Sequence, residues 1–351
     1  MNTVQESIHR VSEALLNGAK LPLTVTNDDK TVNIQLRESV KANLPVFDRV
    51  YMDRCEKGYS EGFDAALGGK LQFAKEAFAM ADAILESKPL FYESRLLSKA
   101  FLRAAQAYLD YAVKDFIQAR NRLQEAMQCD EILETKFGYT ILHIHRVHLV
   151  ENIMRSEFQA GRKCEAFALA QALLLYLAGI NQELPIPGKW GQELLGKIAP
   201  KILHSKLVGI TADMAQYLAF MDPIVAREFF LLVAAPLNSG NPEFLQADVL
   251  EWFVLKEMYL NGAPADFLSR ASEFLAQGPR AVPALWAAVT LDVVVACEAL
   301  PDSEMARKQI LAGAVNWGFI PRKLRPQFLE KASELNLIVR PASASDQLTL
   351  G

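Results

Sequence analysis

From about residue 43 to about residue 338, apolar side chains recur at intervals of three and four, and glycine or proline interrupts the runs at short distances. A chain patterned this way can bury its apolar stripes only by packing helix on helix. The stretch "FDAALGGKLQFAKEAFAMADAILESKP" (63–89) shows the unit: it is alanine-rich, breaks at Gly68-Gly69 and stops at Pro89. It predicts a helix, a tight turn and a second helix. Further helices are predicted at about 90–112, 115–128, 139–160 and 163–178. The segment "GINQELPIPGKWGQ" then places Pro185, Pro187, Gly188 and Gly191 where no regular helix can continue. Helical periodicity returns at about 193–208 and persists to about 335. The expected fold is all-α, built from stacked antiparallel helix hairpins.

Five segments follow. Residues 1–42 are expected to hold an N-terminal helix and a short β-hairpin, because in "LPLTVTNDDKTVNIQLRE" Val32, Ile34 and Leu36 alternate with polar residues beyond the turn-forming Asn27-Asp28-Asp29. Residues 43–180 form a first helical array, 181–200 a proline- and glycine-rich connection, and 201–338 a second array. The small, polar tail 339–351 is expected to be disordered.

The first array carries a repeated small/large string. Gly69, Leu71, Ala74, Phe78 and Ala81, with Gly62 and Ala65 upstream, put small residues where helices approach and an aromatic between them. A second copy reads Phe116, Ala119, Leu123 and Ala126 with Ala107 upstream, and a third Gly161, Ala166, Ala170 and Leu173. This string resembles the tetratricopeptide repeat over residues 58–178. It departs from that family in three ways. The anchor alanines Ala74, Ala119 and Ala166 are 45 and 47 residues apart where the family repeats every 34 or so. The tryptophan and Leu-Gly of the family's first helix are missing, and Pro89 falls beyond the family's proline position. The resemblance implies an α-solenoid whose concave face holds a peptide or a partner helix.

Charge and composition narrow the partners. With 51% apolar residues, 351 positions and a net charge of −4, the chain has a large core and no general attraction to nucleic acid or anionic lipid. Its longest apolar runs fall short of the roughly 20 residues that span a membrane, so a protein or peptide partner is expected, with neither nucleic acid nor membrane. Cys55, Cys129, Cys164 and Cys297 lie far apart with no C-x-x-C pair, which reads as free thiols in a reducing compartment such as the cytoplasm. The charged residues Glu6, Arg10 and Glu13 interrupt the N-terminal stretch, which lacks the continuous apolar core of a signal peptide, so none is expected there. Cys164, beside Lys163 at a helix start, is a packed small residue or a reactive thiol.

Chemistry concentrates in "ILHIHRVHLVE" (141–151), which holds three of the five histidines. On a helix His143 points among Val147, Val150 and Met154 and is expected to be a core histidine with a hydrogen-bond partner. His145, His148, Asn152 and Arg155 share the opposite face and are the candidate residues of a binding groove. A second reading makes His145, His148 and Glu151 ligands of zinc or iron, completed by Glu131, Glu134 or His204 from elsewhere. Arg155, four residues after Glu151, is placed to pair with that carboxylate and opposes a cation there. No phosphate-binding glycine loop and no nucleophile elbow occurs, and no other cofactor is expected. Two functions remain: a non-enzymatic helical-repeat adaptor, and an all-α metal-dependent enzyme with its site near His145 and His148.

Overall fold

The computed structural model describes residues 3–23, 29–237, 247–280 and 282–338. Among them are sixteen α-helices, one 3-10 turn and no strand. Helix α1 (Thr3–Gly18) buries Ile8, Val11 and Leu15, the spacing of one helical face. Helix α2 (Asp29–Lys41) replaces the second arm of the expected β-hairpin. A strand would put Ile34 and Leu36 on one face; instead Ile34 is exposed while Leu36, Val40 and Leu44 are buried at four-residue spacing. That longer apolar series outweighs the short alternation, and Arg37 is drawn in by Tyr59, its Nη1 donating at 2.8 Å. The hairpin's expected turn at Asn27-Asp28 lies outside the described residues, as does the tail 339–351.

Two compact units are formed, divided between Lys206 and Leu207. In the unit that holds residues 29–206, α2 is followed by three helix pairs. They are α3 (Val46–Leu67) with α4 (Leu71–Ser87), α5 (Tyr92–Ala112) with α6 (Phe116–Phe137), and α7 (His143–Gln159) with α8 (Lys163–Leu177). The members of each pair pack on each other, α3 and α4 also pack on α5, and α6 packs on α7. Gly62 shows why the first pair is so close: a Cβ there would lie 2.9 Å from the Phe78 ring, so the ring occupies the space that any other residue would need. Ala74, Phe78 and Ala81 are buried, as are Ala119, Leu123 and Ala126, and Ala166, Ala170 and Leu173. Burying Phe78 alone is worth about 1.5–3 kcal/mol.

Beyond α8 the chain runs through the proline- and glycine-rich segment to the single turn α9 (Gln192–Leu195) and into α10 (Pro200–Leu218). The segment is part of this unit, and the divide lies farther on, inside α10. The physical reason is anchorage: Trp190, Leu184 and Ile186 are buried, and Trp190 Nε1 donates to the Ile186 carbonyl at 2.8 Å.

The other unit joins α1 to α11 (Pro223–Leu237), α12 (Ala247–Leu260), α13 (Pro264–Ala276), α14 (Pro283–Glu298), α15 (Glu304–Ala314) and α16 (Arg325–Glu334). Residues 1–42 therefore do not act as one segment: α1 belongs here and α2 to the three-pair unit. Its end packs so tightly on α13 that a Cβ at Gly18 would fall 2.0 Å from the Leu275 carbonyl oxygen. Pro264 and Pro283 open α13 and α14, where a missing N–H costs nothing. Trp252 and Trp286 are fully buried, and Trp286 donates to Leu275 O at 3.1 Å. Lys256 and Asp292 form a buried ion pair at 2.8 Å between α12 and α14. No helix among the described residues is long and apolar enough to cross a membrane.

Candidate functional site

Helix α7 is enclosed on nearly every side. Thirteen of its 17 residues are buried, among them His143, His145, Arg146, Glu151 and Glu157. Charged groups in that position need partners, because an unpaired buried charge costs several kcal/mol. Helix α6 supplies Asp130, Glu131 and Glu134; Tyr176 comes from α8, Lys189 and Trp190 from the connection, and Lys206 from the start of α10.

Glu157 pairs with Arg120 of α6 and with Arg162, and the remaining charges and histidines form three groups of contacts. His145 Nδ1 donates to Asp130 Oδ2 at 2.8 Å, and its ring stacks on Phe101 of α5 with centroids 4.3 Å apart. His143 Nδ1 donates to Glu134 Oε2 at 3.2 Å, and its Nε2 meets the Tyr176 hydroxyl at 2.7 Å. Arg146 then ties the connection to the helices. Its Nη1 donates to Glu134 Oε2 at 3.1 Å and to the Lys189 carbonyl at 2.8 Å. The Lys189 N–H donates in turn to Glu131 Oε1 at 3.0 Å, and the Gly191 N–H donates to the Tyr176 hydroxyl at 3.2 Å. The third group is centred on Glu151. Arg155 Nη2 donates to Oε1 at 2.5 Å, His148 Nδ1 to Oε2 at 3.0 Å and Lys206 Nζ to Oε2 at 3.4 Å.

Burial by itself would raise the Glu151 carboxyl pKa, but the cations Arg155 and Lys206 and the hydrogen bond from His148 overcome it and hold it far below the usual range. Asp130 goes the other way: burial raises its pKa, and His145 offsets this only in part. Burial likewise pushes the Tyr176 hydroxyl up to about 12. These charges and dipoles face one another within the unit, and such an arrangement fixes helix positions.

The sequence-derived groove residues separate. His145 is 2% exposed and is an interior group, not part of a groove. His148, Asn152 and Arg155 are half-buried. Asn152 Nδ2 lies 3.2 Å from His148 Nε2, and Arg155 Nη1 donates to Asn152 Oδ1 at 2.9 Å. For His145 the expectation of water opposite the apolar side fails because Asp130 and Phe101 fill that space. For the metal reading, His145 turns to Asp130 while His148 turns to Glu151. Among the described residues no three His, Cys, Asp or Glu side chains could hold a metal ion together. His143 is fully buried, with a partner at each ring nitrogen.

The pattern reading missed Asp130, Arg146, Tyr176, Trp190 and Lys206. Nothing in their spacing marks them, since an isolated Arg or Lys in a helix ordinarily lies at the surface. The one usable sign was the gathering of three histidines with Arg146 and Glu151 on a single helix. Compared with family models, curated proteins and solved structures, the chain shows no match in any of the three.

Proposed function

We propose that this protein is a non-enzymatic helical-repeat scaffold, tetratricopeptide-like in its first array, that binds a protein or peptide partner on the outer surface of its stacked helix pairs. The observation that carries this reading is the register: positions offset by 45 and 47 residues are buried in three successive pairs, with Gly62 lodged against Phe78 in the first. In the scaffold reading these pairs belong to an α-solenoid, whose extended surfaces suit partner binding.

The polar cluster around α7 supports the reading from a second side. Its histidines and carboxylates are engaged with one another and with the connection, as structural groups would be. Three of the four cysteines are buried free thiols, which fits the reducing interior of a cell, and a net charge of −4 fits a protein partner better than nucleic acid. The test is affinity capture of the intact chain from the cells that make it, followed by rebinding of the recovered protein to the purified chain. A stoichiometric complex is expected. Failure to recover any protein that rebinds would remove the proposal.

A further inference from the structure

The 45- and 47-residue offsets of the anchor alanines recur at the outer ends of the pairs. Phe47 at the start of α3, Tyr92 at the start of α5 and Tyr139 just ahead of α7 are 45 and 47 residues apart. Each lies well before the alanine register of its pair, so the extra length beyond a repeat of about 34 residues brings an aromatic to each pair's leading edge. These edges adjoin. Asp48 Oδ2 accepts the Phe91 N–H at 3.0 Å, which sets the first turns of α3 and α5 side by side. Tyr139 donates its hydroxyl to Glu93 at 2.9 Å, linking α5 to the approach to α7. Tyr92 rests near Phe137, with centroids 6.2 Å apart.

This edge is both apolar and cationic. Val46 is 72%, Phe47 63%, Phe91 65% and Tyr92 54% exposed, a concentration of large apolar side chains that usually marks an interaction surface. Around them Arg54 and Lys88 lie over the Tyr51 ring, 5.7 and 5.3 Å from its centroid. Arg95 donates to the Lys88 carbonyl, and Lys136 lies in the last turn of α6, next to Phe137 in the chain. Among the described residues none of these four cations has a carboxylate partner, whereas Glu93 accepts from the Tyr139 hydroxyl and Asp48 from the Phe91 N–H.

We propose that this aromatic edge docks an acidic segment of a partner protein whose apolar or aromatic side chains pack between the rings. The proposal rests on the scaffold reading above and adds the place and the chemistry. Unneutralised cations on a chain of net charge −4 select an anionic occupant. Phe47 meets Tyr51 edge-on with centroids 5.2 Å apart, and aromatic rings together with arginine are the composition of protein hot spots.

The test uses the full chain and short labelled peptides in which aspartate and glutamate alternate with phenylalanine and leucine. Control peptides carry lysine for the acids or alanine for the apolar residues, and binding is read by fluorescence anisotropy. The acidic apolar peptides are expected to bind, and both controls and the variant Arg54→Glu/Lys88→Glu to lose at least roughly tenfold in affinity. All changed side chains are partly or fully exposed, and circular dichroism checks that the fold is kept; Tyr92→Ala gives an independent variant. Equal binding of the lysine peptides, or no effect of either variant, overturns the proposal. So does recruitment to phosphatidylcholine/phosphatidylserine vesicles, lost in the double variant, by a chain that ignores the peptides. If cell capture yields a partner that the double variant binds as well as wild type, this inference fails while the scaffold reading stands. If wild type captures nothing, it is the scaffold reading that fails.

Discussion

The guanidinium of Arg146 lies over the indole of Trp190, 4.2 Å from its centroid, while the same group holds Glu134 and the Lys189 carbonyl. One side chain of α7 thereby clamps a segment that follows it by more than a helix pair. Arg146→Ala should cost on the order of 3–5 kcal/mol, since it leaves Glu134 buried without its cation. It should also free the connection: the Lys189 and Gly191 amides, which donate to Glu131 and Tyr176, are expected to exchange with solvent deuterium well before the amides of α8. Equal protection in variant and wild type would show that the segment is held by its apolar residues alone.

Glu151 gives the fold a dependence on acid. Its carboxyl is held far below its ordinary range, so its stabilisation is fully present above about pH 4.3, the unfolded value, and fades as the pH falls toward the folded one. Glu151→Gln removes the carboxylate that Arg155, His148 and Lys206 share, which is expected to cost on the order of 3–5 kcal/mol at neutral pH. The gap in denaturant midpoint between wild type and Glu151→Gln should therefore be widest at neutral pH and narrow below about pH 4. A gap that widens on acidification would mean that Glu151 is not ionised in the folded chain.

Packing of the first pair is tested at Phe78 and Gly62. Phe78→Ala should cost roughly 3–5 kcal/mol through the cavity it leaves. Gly62→Ala sets a methyl against the same ring and should cost about 1–3 kcal/mol. Because the two residues touch, the double variant is expected to lose less than the sum; strict additivity in a denaturant-unfolding cycle would count against the contact.

How much of this was legible in the sequence depends on what surrounds each residue. The helical series, the breaks at Gly68-Gly69 and Pro89, and the phase of Ala74, Phe78 and Ala81 follow from local periodicity, which packing within a hairpin preserves. Val32, Ile34 and Leu36 misled because a three-residue alternation is too short to compete with Leu36, Val40 and Leu44 at helical spacing. The connection at 181–200 looked like a boundary because proline and glycine end helices. Its sequence gives no sign that Arg146, more than forty positions earlier, would fasten it down.

The histidines make the same point more sharply. The phase of His143 against Val147 and Val150 put it inside, where it is found. That phase also put His145 opposite, which on an amphipathic surface helix would be water. Helices α5 and α6 cover that side with Phe101 and Asp130, and no property of α7 alone could reveal it.

The most direct measurement is therefore made on His145→Ala: its unfolding free energy together with its affinity for the captured partner, at a temperature where the variant is folded. Removing the imidazole leaves Asp130 buried without its donor, so a loss of about 1–3 kcal/mol in stability is expected, with partner affinity unchanged. Unaltered stability with binding abolished would contradict the reading of the α7 cluster as structural and return His145 to the functional surface.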